Sequence, residues 1–252
     1  MFRQVRWSLL FMIMIGGSVY MGNSSFAADT NAKHEDPSYV APAPQAGKAS
    51  ELNAYRILFV GNSITRHGVN EDAKSRLKWD HVAGMAASSE DKDFAHRLGV
   101  LIQATMKDRK VELYFMGSPY PPPHLVVLQT GEHETPGKTV KERADAYEAF
   151  IKPYVNLSPK PLVLCAGVWF PTDNVPYIGM ALEVNEAYAS VCKKHGIPFV
   201  SLEKYATDPS CRGWGQHPGV QWHPNDKGME GYASLLFKAF REARGALGSQ
   251  QE

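Results

Sequence analysis

The feature that most constrains this chain is a regular alternation of short apolar runs with longer stretches of helical periodicity. Five compact runs, Arg56–Val60, Val111–Phe115, Leu125–Gln129, Pro161–Cys165 and Pro198–Leu202, are bounded by Gly, Pro or charged residues. Strands buried on both faces read this way, because neither side has to meet water. Between them, apolar residues return at three- and four-residue spacing: Phe94, Leu98 and Leu101, then Ala146, Phe150 and Tyr154, then Met180, Val184, Ala187 and Val191. A final stretch, Gly228–Arg244, sets Tyr232, Leu235, Leu236, Ala239 and Phe240 on one helical face. Strand–helix alternation predicts an α/β fold, a three-layer α/β/α sandwich around a five-stranded parallel sheet. Such sheets bind ligands at the carboxyl ends of their strands. The residues that carry chemistry are therefore expected just after each strand.

The N-terminal segment reads differently. Arg3 and Arg6 precede an apolar run from Trp7 to Tyr20, and small residues stand at Ser25 and Ala27. This is the pattern of an export signal, residues 1–27, cut after Ala27. At roughly 14 residues the apolar run is short of the ~20 that span a bilayer, so no stable membrane insertion is expected after cleavage. Residues 28–52 are rich in Ala, Pro and Ser with no apolar period, and are expected to be a flexible linker. The folded domain is then 53–252, about one α/β domain in size, in a secreted or periplasmic protein.

Composition fits that picture. The 252 residues are 44% hydrophobic and 21% charged, which excludes a wholly disordered chain. There are 27 Lys and Arg against 26 Asp and Glu. Loss of 1–27 would remove Arg3 and Arg6 and no acid, leaving 25 basic and 26 acidic residues and a net charge of −1. That balance argues against nucleic acid as a partner, and for neutral acyl or acetylated-sugar substrates over polyanions. Three cysteines are too few for a disulfide scaffold. Cys165 reads as a buried strand thiol, and Cys192–Cys211 is the candidate pair if any bridge forms in an oxidising compartment.

Four segments stand out beside the expected strands. Gly61-Asn62-Ser63-Ile64-Thr65 follows the first strand, where a tight turn can hold a Ser hydroxyl out from the sheet. Trp79-Asp80-His81-Val82-Ala83-Gly84-Met85-Ala86-Ala87-Ser88 contains a glycine able to bring a backbone N–H into a site. Leu125–His133 runs from a strand into Gly131-Glu132-His133. Gly219–Met229 holds His223 just ahead of Pro224 and the last helix. Each segment is also an ordinary turn or helix entry when taken alone.

Together, in this order, they resemble the blocks of the SGNH/GDSL hydrolase superfamily, from about Arg56 to the end of the chain. The resemblance implies a flavodoxin-like sheet and an esterase in which Ser63 is the nucleophile and His223 the general base. It implies Gly84 as an oxyanion-hole N–H and His133 at the position where the family has an oxyanion-hole Asn. Two departures matter. An imidazole at His133 can still donate a hydrogen bond, but the Asp usually found three residues before the catalytic His is replaced by Val220. Either a backbone carbonyl orients His223, giving a Ser–His dyad, or an acid such as Asp226 or Glu132 reaches it. The dyad is favoured because no acid occupies the expected place.

Tyr120, Trp169, Phe170, Tyr177, Trp214 and Trp222 fall on loops near the expected catalytic edge and suit either stacking on sugars or loop packing. Export and the resemblance favour a glycan or small-molecule ester, with acetyl removal from a carbohydrate as the leading substrate class. An envelope-polysaccharide O-acyltransferase and a catalytically silent glycan-binding protein are the alternatives. No cofactor is expected, since His81, His133, His217 and His223 form no metal-ligand spacing. The protein is expected to be a monomer or a weak homo-oligomer.

Overall fold

A computed structural model describes residues 53–171, 175–215 and 217–248. The export signal 1–27 and the linker 28–52 lie outside the described residues. Five strands, β1 (Tyr55–Gly61), β2 (Val111–Phe115), β3 (Leu125–Gln129), β4 (Leu162–Ala166) and β5 (Phe199–Val200), form one parallel sheet in the order β2-β1-β3-β4-β5. Six α-helices accompany it: α1 (Phe94–Gln103), α2 (Val140–Val155), α3 (Val175–His195), α4 (Glu203–Ala206), α5 (Pro218–Trp222) and α6 (Asp226–Gly248). The helices α1 and α6 pack on each other, as do α2 and α3, giving two helical layers about the sheet. This is the three-layer arrangement the alternation predicts.

The sheet centre explains the apolar runs. In β3 all five residues are buried, and Val127 sits in register between Phe59 of β1 and Leu164 of β4. Burying one such side chain stabilises the fold by about 1.5–3 kcal/mol. At the edge, β2 is only partly buried along its length. The other edge strand, β5, is shorter than the apolar run Pro198–Leu202 because Leu202 turns out of the sheet and accepts the Tyr205 and Ala206 N–H groups at 2.9 Å.

Strand order fixes where the site can be. The chain reverses direction across the sheet between β1 and β3, so the loops leaving their carboxyl ends part and leave a crevice. Gly61 and Gln129, the last residues of the two strands, face each other in register across it.

Cys165 is the buried strand thiol expected, whereas the candidate Cys192–Cys211 pair is not bridged. All three are free and buried. Cys192 on α3 neighbours Cys165 of β4, where burial pushes the Cys165 thiol well above its usual range. Cys211 instead lies by Asp208, its Sγ 3.6 Å from a carboxylate oxygen. The Cys192–Cys211 bridge is therefore not formed, because the helix carries Cys192 to the central sheet.

Candidate active site

The turn after β1 is built around one position that accepts no side chain. A Cβ on Gly61 would lie 2.1 Å from Thr65 Oγ1 and 2.7 Å from the Gln129 carbonyl. Beyond it the chain makes a single helical turn, with the Thr65 and Arg66 N–H groups donating to the Asn62 carbonyl at 3.0 and 3.1 Å. The Asn62 side chain locks this turn twice. Its Oδ1 accepts from Ile64 N–H at 3.0 Å, and its Nδ2 donates to Glu132 Oε2 at 2.6 Å. Ser63 is thereby held at the sheet edge, 5% exposed.

His223 arrives from the far end of the chain. Pro218 occupies the first turn of α5, and His217 caps it by accepting the Gly219 N–H on Nδ1 at 3.0 Å. The helix ends at Trp222, and His223 follows with its Nε2 2.8 Å from Ser63 Oγ. Its Nδ1 meets the Gly219 carbonyl at 2.5 Å. A carbonyl can only accept, so Nδ1 carries the ring proton and Nε2 is the free lone pair facing the Ser63 hydroxyl. Burial drives the His223 pKa down to about 3, opposed by the bond to Gly219 and reinforced by the charges of His67 and His133. Near neutral pH the imidazole is uncharged and basic toward the hydroxyl.

The two candidate acids are engaged elsewhere. Asp226 accepts from Ser88 N–H at 2.7 Å and Ser88 Oγ at 2.6 Å. Glu132 accepts from Asn62 and, through Oε1, from Trp169 N–H at 2.9 Å. Val220, where the family pattern has Asp, is buried. The group at His223 Nδ1 is the Gly219 backbone carbonyl.

The expected oxyanion donors differ in placement. Gly84 lies beside the turn that carries Ser63, where the Met85 N–H donates to the Ser63 carbonyl at 2.8 Å. The Gly84 N–H itself donates to Asp93 Oδ2 at 3.2 Å, so it is not an open donor. Its lack of a side chain is nonetheless required, since a Cβ would lie 2.3 Å from the Ile64 carbonyl. His133 is exposed on the loop after β3, near enough for its charge to act on His223. The Ser63 N–H has no hydrogen-bond partner among the described residues.

Of the loop aromatics, Tyr120, Trp169 and Phe170 are core residues, each no more than 2% exposed. Trp169 ties the two halves of the site together, because its Nε1 donates to the Trp222 carbonyl at 2.8 Å. Trp222 lies edge-on to His223, ring centroids 5.3 Å apart, and Trp214 is 42% exposed. The side chain of Tyr177 lies outside the described residues. Among those residues, no three His, Cys, Asp or Glu side chains converge as a set that could hold a metal ion. No helix there is long and apolar enough to cross a membrane.

Asn62, Glu132, His67 and Gly219 were not singled out for these contacts in the sequence. Asn62 and Glu132 stand inside the quoted blocks, but their mutual bond spans 70 positions and leaves no local pattern. His67, 7% exposed and joined to Ala83 by a 2.7 Å backbone hydrogen bond, has no motif around it.

Neither a family model nor a curated protein matches the chain. Solved structures share its fold. The aryl esterase of M. smegmatis superposes with a TM-score of 0.50 at 15% identity, over 75% of this chain and 99% of that one. A two-domain esterase (CEX) active on acetylated mannans gives 0.51 at 15% identity, over 75% of this chain and 49% of that one. The chain thus spans about half the length of the mannan esterase. Sheet order, helical layers and these superpositions agree on one conclusion: the chain has the α/β fold of the SGNH-type esterases.

Proposed function

We propose that this chain is an exported serine esterase that removes acetyl or other short acyl groups from a carbohydrate through a Ser63–His223 dyad. The observation that carries the reading is the 2.8 Å contact of Ser63 Oγ with an imidazole nitrogen whose partner nitrogen is pinned by Gly219. Ser63 Oγ attacks the ester carbonyl carbon as its proton passes to His223 Nε2. The developing oxyanion takes the Ser63 N–H and, from the solvent side, the His133 ring. Asp93 holds the Gly84 N–H in the ground state. His223 returns the proton to the departing alkoxide, and a water activated by the same nitrogen then clears the acyl-enzyme. The Gly219 carbonyl plays the orienting part that a carboxylate has in a triad, with less electrostatic stabilisation of the imidazolium.

Aromatic surface supports a carbohydrate substrate. Trp214, 42% exposed with its Nε1 on the Ala86 carbonyl, and Trp222 against His223 offer aromatic surface of the kind that stacks on sugar rings. Activity of a fold neighbour on acetylated mannans is in keeping with it. The test is a panel of sugar acetates and acyl-chain esters on wild type and Ser63→Ala, with a serine-directed phosphonate and mass mapping. Wild type should turn over short acyl esters and gain one phosphonyl adduct at Ser63. Ser63→Ala should lose at least about 10⁴-fold in kcat. Equal turnover by the two proteins, or an adduct elsewhere in active wild type, overturns the assignment.

A further inference from the structure

We propose that the pocket beside Ser63, between the carboxyl ends of β1 and β2, is a subsite for a carboxylate carried by the ester substrate, with Arg66 as the cation that recognises it. The inference rests on the esterase reading and narrows its substrate class to acidic esters. The pocket has a volume of about 210 Å³ and is lined by Gly61, Thr65 and Arg66, which flank the nucleophile in sequence, and by Phe59 and Phe115. Ser63 is not itself in the lining; the pocket lies on the β2 side of the turn that carries it, where β2 forms the sheet edge.

Its one charged lining group is a cation, Arg66, whose acid partner stands outside the lining. Its guanidinium lies 4.4 Å from the centroid of the Phe115 ring, and Phe115 is stacked on Phe59 at 5.5 Å. Nη1 donates to Glu90 Oε1 at 3.2 Å, and the remaining N–H groups have no partner among the described residues. The two side chains of that ion pair are 37% and 50% exposed, so Glu90 and water offset much of the cation's charge, and recognition has to come from the guanidinium N–H groups that Glu90 leaves open. Glu90 and Phe115 fix the guanidinium in one plane. A planar fork of N–H donors over an aromatic floor matches a carboxylate attached to an apolar ring face or short chain. Near-neutral charge over the whole chain, which favours neutral substrates, says nothing against a single cation placed inside a pocket. Two sources share this chemistry: a uronate carboxyl on the sugar and a terminal carboxyl on the acyl group.

The test compares matched esters. One pair is acetylated galacturonide against acetylated galactoside oligosaccharides, and the other is 4-nitrophenyl hemisuccinate against 4-nitrophenyl butyrate. Wild type should favour the acidic member of a pair by about ten- to a hundredfold in kcat/KM, the size of a charge-assisted hydrogen bond. Preference in the first pair alone places the carboxyl on the sugar, and in the second alone on the acyl group. Arg66→Gln should abolish the preference, Arg66→Lys should keep part of it, and salt should weaken it. Equal kcat/KM within both pairs, or a preference that survives in Arg66→Gln, overturns the proposal. Calorimetry of full-length Ser63→Ala with oligogalacturonide and oligogalactoside reads the subsite without turnover. Tighter oligogalacturonide binding that disappears with Arg66→Gln supports it even if no ester is hydrolysed, and absence of binding with absence of hydrolysis rejects it.

Discussion

His223 holds its proton on Nδ1 because Gly219 presents only lone pairs there, and this sets how the residue responds to pH. Burial lowers its pKa from 6.5 to about 3, so the neutral, base-competent form persists well below the range of a free imidazole. kcat/KM for a neutral ester should stay level from about pH 8 to pH 5 and fall only as the pH drops further. A stopped assay in a buffer series, with enzyme returned to pH 7 to exclude inactivation, reads this limb. A midpoint near 6.5 would show that the ring is solvated or that a carboxylate reaches it. Gly84 is held to glycine by a steric limit. Gly84→Ala sets a methyl 2.3 Å from the Ile64 carbonyl and should destabilise the protein by about 1–3 kcal/mol, read by urea denaturation. That Ser63 and His223 would come together was legible in the sequence, because each sits in a motif with a mechanical reason. The orienting group was not, because a backbone carbonyl has no residue type; Val220 announced only that no Asp stood there.

Secondary elements bring those residues together through Glu132, which joins the turn after β1, the loop after β3 and the loop after β4. It accepts from Asn62 Nδ2 and Trp169 N–H while itself 7% exposed. Glu132→Ala would strand two buried donors at about 1–3 kcal/mol each. Glu132→Gln keeps acceptor oxygen at one of them and should fall between the alanine variant and wild type. Melting temperature and kcat should fall together in that order, with KM for a small ester nearly level, if Glu132 acts by bracing the Asn62–Thr65 turn. A kcat unchanged in Glu132→Ala would remove this link. The strands β1 to β4 were legible to within a residue or so because each is a closed apolar run. The five-residue helix α5 was not, since a single turn rich in Gly and Pro carries no apolar period. It is nonetheless the element that brings the Gly219 carbonyl onto His223.

Across the whole molecule, neutral imidazoles inside the fold couple stability to acid. His223 is one. His124, at the opposite end of the sheet, is held to about 4 by burial and by the neighbouring charges of Arg56 and Arg109. In the unfolded chain both should titrate near 6.5, so between about pH 6.5 and pH 4 the unfolded state binds protons that the native state refuses. Stability must therefore fall as pH is lowered through that window, with unfolding taking up as many as about two protons near pH 5. His96, raised beside Asp93 and Glu90, works the other way, because its contribution is present below 6.5 and lost as pH rises through its folded value. The lowered carboxylates, such as Asp208 beside Ser210 and Lys227, lose their contribution only at still lower pH. The sum should slope downward from neutral pH toward acid, set by His223 and His124 against His96. Urea melts at pH 7, 6, 5 and 4 on wild type and His124→Gln would measure it. The variant removes one of the two refusing groups, so its slope should be shallower by about one proton. Equal slopes would mean that His124 admits its proton in the folded state, with the Arg109 contact at 3.1 Å giving way to let it in.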